Sequence, residues 1–293
     1  MRYLMILCGM LSFGCALDAT SAPEEQEPAS TTEAVNNWVD GPFTWTQGQS
    51  LAAIRPYSTH LCVMTRITGN FGGLGESFSL WHDADFWYTE GTSQQSGLGA
   101  EVYCFRRSGL PGGTSNVSKY YSAQSEGYKY KRCFGPVVNS DVWGFDAALA
   151  LTGMSGKFEG GGERVRTIQA TSSANGSSVT AETCNDAPVM ANAYAFTFTK
   201  NAKVKFEGPG GEVGTATQIR EISITGSNGY AVLAPVGQSF CYFTSISGAF
   251  HGAGEFAQIR PERIGSLDYW VLRGGSLAGG VNLSARCVAR NQN

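Results

Sequence analysis

Charge is scarce in this chain: Asp, Glu, Lys and Arg make up 15% of its 293 residues, well below the usual quarter. The formal net charge is -3, with Lys and Arg scattered. No basic face exists to neutralise phosphates, which excludes nucleic acid as a partner. Histidine is scarcer still, with only His60, His82 and His251. None sits in a zincin helix motif, and no Cys-x-x-Cys or His/Cys cluster is present, so no metal centre is expected. Nucleophile-elbow, Walker A and dinucleotide fingerprints are missing too, and no cofactor is implied. Gly274-Gly-Ser276-Leu-Ala comes nearest to an elbow but lacks its last Gly. No stretch of ten or more residues holds a helical period. The one long apolar run, Leu4 to Phe13, is too short to span a bilayer.

Glycine, by contrast, reaches 38 residues and aromatics 12%, a composition that suits strands joined by tight turns. Runs such as Ala193-YAFTFT, Ala202-KVKF, Ile222-SIT and Tyr230-AVL alternate or carry β-branched and aromatic residues, with turn signals such as Asn228-Gly229 between them. Asp141-VWGFDAALALTG also reads as strand. The expected fold class is all-β.

Arg2 followed by the short apolar run reads as a signal peptide over residues 1–15. The run ends in Ser12-Phe13-Gly14-Cys15, which resembles the lipobox of bacterial lipoproteins. That resemblance implies lipidation of Cys15, although Ser12 and Phe13 stand where Leu and a small residue are usual. Ordinary cleavage near Ala19 or Ala22 is the alternative. The expected location is therefore the outer membrane, as a lipoprotein, or the extracellular space, with membrane contact only through an N-terminal lipid. Residues 16–36, rich in Pro, Glu, Ser and Thr, read as a solvated tether.

Beyond the tether, three segments align without gaps: Cys62-VMTRITGNFGGLG-Glu76, Leu149-ALTGMSGKFEGGG-Glu163 and Cys241-YFTSISGAFHGAG-Glu255. Six columns are identical in all three, including Gly69/Gly156/Gly248, Phe71/Phe158/Phe250 and Glu76/Glu163/Glu255. Thr, Ile or Met, Gly and Phe recur at spacing two, which puts them on one buried face of a strand. Copies one and three match again from Asp85 to Cys104 and from Asp268 to Cys287, pairing Trp87 with Trp270 and Ser93 with Ser276. Three diverged modules follow, at residues 37–112, 113–200 (degenerate) and 201–293. They form either small tandem sandwiches or one body with three-fold pseudo-symmetry.

Cys8 and Cys15 drop out with the signal, leaving an even number of cysteines for an oxidising compartment. Repeat symmetry pairs Cys62 with Cys104 and Cys241 with Cys287. It leaves Cys133 for Cys184. Each bridge closes a loop worth about 4 kcal/mol in the chain-entropy description.

The repeated Glu is the sharpest polar signal. It either accepts hydrogen bonds from the free N–H groups of its glycine turn or serves a ligand. His82, Asp83 and Asp85 read as a hairpin loop with solvated charges, metal binding being the alternative. Trp81, Trp87 and Trp270 are strand aromatics, of the kind that stack on sugar rings when exposed and build the core when not. The candidate ligand-binding set is Trp87, Trp270, Glu76, Glu255, Ser93, Gln94 and Gln95. No catalytic residue is assigned. The expectation is an exported surface or secreted binding protein, with glycans or a cell-surface protein as partner. A structural or assembly component of the envelope is the alternative, and a hydrolase stands third.

Overall fold

The computed structural model describes residues 38–293 except 96, 111–116, 126–136, 140–146, 161, 169–176, 184–187, 198–220, 253, 278–279 and 291–293. Strands dominate these residues, as the glycine-rich, charge-poor composition requires. The first copy supplies β1 (Val39–Thr46), β2 (Ala52–Pro56), β3 (His60–Thr68), β4 (Ser77–His82), β5 (Phe86–Thr92) and β6 (Gly99–Arg106). The second supplies β7 (Val117–Gln124), β8 (Val137–Asn139), β9 (Ala147–Gly156), β10 (Arg164–Ile168), β11 (Ser178–Glu182) and β12 (Val189–Thr197). The third supplies β13 (Ile222–Gly226), β14 (Asn228–Pro235), β15 (Ser239–Gly248), β16 (Phe256–Ile264), β17 (Leu267–Gly275) and β18 (Val281–Ala289).

These strands form three antiparallel sheets, each mixing two copies. Sheet I runs β1-β6-β3-β16-β17-β14, sheet II β2-β5-β4-β9-β12-β7 and sheet III β13-β18-β15-β10-β11-β8. The seams between copies are equivalent: Gln258 faces Arg66 in sheet I, Ser79 faces Gly153 in sheet II and Arg166 faces Ser245 in sheet III. The copies therefore share sheets, as one pseudo-three-fold body, and do not stand as separate sandwiches. Every copy fills an edge-to-seam half of two sheets, which leaves no copy with a complete sheet of its own.

The identical columns explain the symmetry. Phe71, Phe158 and Phe250 are fully buried and meet edge to face, with centroids 5.9, 6.0 and 6.2 Å apart. Their backbones close a ring: Phe71 N–H donates to the Phe250 carbonyl at 2.7 Å, Phe158 to Phe71 at 2.8 Å and Phe250 to Phe158 at 2.9 Å. Edge-to-face pairs add about 0.5–1.5 kcal/mol each beyond their burial. Two residues earlier, Gly69, Gly156 and Gly248 take φ of 107°, 105° and 125°. A Cβ there would lie 2.3, 2.2 and 2.6 Å from a backbone carbonyl oxygen. Glycine is required on both counts, since L side chains rarely adopt that φ.

Burial follows the predicted alternation. Thr65, Ile67 and Phe71 are interior while Arg66 and Thr68 are half-exposed, and Thr152, Met154 and Phe158 repeat the interior set. The core is one continuous cluster, with Trp45, Trp87, Trp270 and Tyr242 among its largest members. Cys62–Cys104 and Cys241–Cys287 join directly opposed residues of β3–β6 and β15–β18. Such bridges belong to a non-reducing, typically extracellular environment. No helix among the described residues is long and apolar enough to cross a membrane.

One expectation needs adjustment, and several fall on residues that are not described. Asn228 and Gly229 open β14, and the chain turns instead at Gly226 (φ 113°), where it leaves sheet III for sheet I. That corner links two sheets, so a hairpin turn has no place in it. Cys133, Cys184, the Ala202-KVKF run and residues 1–36 lie outside the described residues.

Candidate functional site

The alternation of β5 and β17 decides the fate of the shared tryptophans. Trp87 and Trp270 are both 0% exposed. Each indole N–H is spent inside, on the His60 carbonyl at 2.9 Å and on the Ser239 carbonyl at 2.9 Å. Trp87 packs against Tyr57, His82 and Tyr194, and Trp270 against Tyr103 and Phe105. Neither offers a ring face to a ligand, so their assignment as sugar-stacking residues is corrected: a column shared by two copies packs the shared core.

The repeated glutamates are also buried, and they hold turns. Glu76 Oε1 accepts from the Gln94 N–H and Glu255 Oε1 from the Leu277 N–H, both at 3.3 Å. These two donors follow the matched serines Ser93 and Ser276, so the Glu and Ser columns belong to one turn. In the second copy Glu163 Oε2 accepts from the Gly160 N–H at 2.7 Å. The Glu76 and Glu255 carbonyls accept from Gly156 and Gly69 of neighbouring copies, at 3.0 and 3.1 Å. Ser93 Oγ bonds within its own turn, donating to the Gln95 carbonyl and accepting from the Gln95 N–H, while Gln95 Oε1 accepts from Asn70. Gln94 is exposed at the rim. The structure thus joins Glu76 to Ser93, Gln94 and Gln95 and separates all of them from Trp87.

The His82 segment is a hairpin loop. Asp83 Oδ1 accepts from the Asp85 and Phe86 N–H groups, both at 2.8 Å, and Oδ2 accepts from the Tyr88 hydroxyl at 2.9 Å. Those backbone bonds hold its carboxyl below the usual range. No group of three potential metal ligands occurs among the described residues.

The three outer faces differ where the interior repeats. Register defines one equivalent row across each sheet. In sheet I it is Thr44–Glu101–Arg66–Gln258–Arg273–Tyr230. This row closes on itself: Arg66 pairs with Glu101 at 2.7 Å, Arg273 reaches Glu262 at 2.7 Å and lies over the Tyr230 ring. In sheet II the row reads Glu90–Ser79–Gly153–Asn192–Ser122. Gly153 stands where sheet I has Arg66, so Asn192 Nδ2 reaches Ser79 Oγ across it at 3.5 Å. Asn192 is 8% exposed, and its Oδ1 has no hydrogen-bond partner.

One step further along the strands, sheet II presents aromatics on the same face. Trp81 is opposite Tyr88 and stacked on it, at 4.7 Å and 24°. Exposed Tyr120 lies opposite Tyr194 with centroids 5.4 Å apart, while Tyr194 itself is buried and packs on His82 and Trp87 of the core. Tyr120 and Phe86 are exposed, and the Trp81 Nε1 is buried without an acceptor. Burial raises the Tyr120 and Tyr194 hydroxyls, the latter to about 12, so both are protonated donors at neutral pH. The equivalents of Trp81 and Tyr88 in sheet I are Arg260 and Val271, also a facing pair. The face thus joins an aromatic row to a polar row, with an unpaired donor in one and an unpaired acceptor in the other. Such a surface can stack on the apolar face of a sugar ring and exchange hydrogen bonds with its hydroxyls.

Reading the sequence missed Ser79, Tyr88, Glu90, Asn192, Tyr194 and Tyr120. A signal for Tyr88 and Glu90 was present: Trp87 is their neighbour in the alternation of one strand, so if it is core they face out. No protein family, curated protein or solved structure matches this chain.

Proposed function

We propose that the protein is an exported binding protein that holds saccharides on the outer face of sheet II. The observation that carries this reading is the paired aromatic and polar rows of that face, with Trp81 Nε1 and Asn192 Oδ1 left without partners. Sugar hydroxyls both donate and accept, which suits a face that sets Ser79 and Asn192 beside exposed Tyr120 and Phe86. Export through residues 1–15, a tether over residues 16–36 and a lipid on Cys15 complete the proposal, placing the body at the outer membrane surface or in the medium. The two disulfides support an oxidising destination.

A structural role in the envelope is the second reading. It is favoured by the interior position of both shared tryptophans and by the self-paired row of sheet I.

A glycan-array screen of the oxidised protein separates the two. The proposal expects a set of neutral sugars to bind and the signal to vanish in a folded Trp81→Ala, Tyr120→Ala variant. A folded protein silent on every glycan leaves the structural role standing.

A further inference from the structure

We infer that the outer face of sheet III is a second binding site, for a carboxylate-bearing sugar residue. Its equivalent row reads Thr180–Arg166–Ser245–Ser284–Ser223. Ser245 and Ser284 stand where sheet I has Arg66 and Glu101. Removing those two long side chains from the row opens a groove of about 550 Å³, within the range of roughly 300–1,000 Å³ that small-ligand sites occupy.

The groove has a charge and a floor. Arg164 and Arg166 line one side and Arg286 another. Arg166 and Arg164 share the single carboxylate of Glu182, at 2.8 and 3.7 Å, and Arg286 faces Glu221 at 3.4 Å. Among the described residues, Arg164 and Arg166 thus have one carboxylate between them, in a protein that is acidic overall. Guanidinium forks match a planar carboxylate. The floor is hydroxyl: Ser223 and Ser284 share one hydrogen bond at 2.8 Å, which leaves one of their two protons free to donate outward. An anionic group beside ring hydroxyls fits this pairing of charge and hydroxyl bed. The choice of a sugar rests on the saccharide reading above, while the charge and the groove are separate from sheet II.

The test measures binding of glucuronate, and of acidic glycans against their neutral, carboxyl-reduced counterparts. Three folded proteins are compared: the unaltered chain, Arg164→Ala with Arg166→Ala, and Ser245→Arg with Ser284→Glu. The last pair refills the groove with the side chains of sheet I. The inference expects the acidic ligands to be preferred, and to lose about tenfold or more in affinity in both variants, as loss of a charge-assisted bond implies. It expects Trp81→Ala to leave acidic binding intact. Equal affinity for acidic and reduced glycans overturns the inference and leaves sheet II standing. Acidic binding that Trp81→Ala removes and the groove variants keep also overturns it, by placing the acid on sheet II. A sulfated sugar bound as tightly as the carboxylate overturns the ligand class. Silence on neutral glycans with glucuronate still bound overturns the sheet II reading alone.

Discussion

Sheets I and II are built on one frame and finished differently. Inside, each has a repeated Phe and a positive-φ Gly at the seam. Outside, the row that sheet I fills with Glu101, Arg66, Gln258 and Arg273 is Asn192, Gly153, Ser79 and Glu90 in sheet II. The aromatic pair Trp81 and Tyr88 stands where sheet I has Arg260 and Val271. Sheet I satisfies its own charges with Arg66–Glu101 and Arg273–Glu262 pairs. Sheet II leaves Trp81 Nε1 and Asn192 Oδ1 without partners, as sheet I leaves Arg66 Nε, so the two faces differ in the kind of side chain they present. The Gly and Phe columns at the seam stay constant while the outward rows diverge, so the frame and the outer faces are specified by different positions.

The largest effects fall on the shared frame. Serine in place of either Cys62 and Cys104 or Cys241 and Cys287 lowers stability by about 4 kcal/mol, because the loops span 42 and 46 residues and the chain-entropy cost is nearly the same. Denaturant titration checks this, and very unequal losses break the claim that the two copies are equivalent. Alanine at Gly69, Gly156 or Gly248 costs about 2 kcal/mol or more in each case, from the forbidden φ and the carbonyl contact. Chemical melts of the three variants should nearly coincide.

Acid separates the regions next. His60 and His82 belong to copy one, and Ser239 is the copy-three counterpart of His60. Burial holds both imidazoles below the ordinary 6.5, with Asp40 and the Asp83 carbonyl only partly offsetting it. A histidine whose folded pKa is depressed resists protonation, so stability is full above pH 6.5 and falls as pH drops below it. Asp40 adds to this loss at lower pH: burial alone would raise its carboxyl, but Arg55 and His60 outweigh it and hold the pKa below 3.8. Thermal melts from pH 7.5 to 5 should show the decline, and His60→Gln with His82→Gln should flatten it. The smallest effect belongs to sheet I's surface: Arg273→Ala should cost no more than about 1 kcal/mol, since its pair with Glu262 is part-exposed. A larger loss would show that the charged row supports the frame.

Much of this frame was legible in the chain. Identical columns marked the Gly that turns the strand and the Phe that closes the centre, and repeat symmetry paired four cysteines correctly. What the columns did not reveal was that seam strands pair between copies, because a strand's sequence carries its faces but not its neighbour. The shared tryptophans misled for the same reason that the glycines helped: recurrence reports a common environment, and here that environment is the core. The residues of the proposed site lie instead at positions that do not recur. Trp81 and Tyr88 are unlike Arg260 and Val271, and Asn192 is unlike Glu101. Asn192 was hidden further by the degenerate second copy, whose link to β4 exists only in the folded sheet.

Position 81 and its equivalent 260 offer the most direct test of the account. Affinity for a neutral glycan retained by the array would be measured by calorimetry for the oxidised protein, for Trp81→Ala and for Arg260→Ala. The account predicts that Trp81→Ala abolishes binding while Arg260→Ala leaves the dissociation constant unchanged. Equal affinity in all three folded proteins, or loss in Arg260→Ala alone, would contradict it.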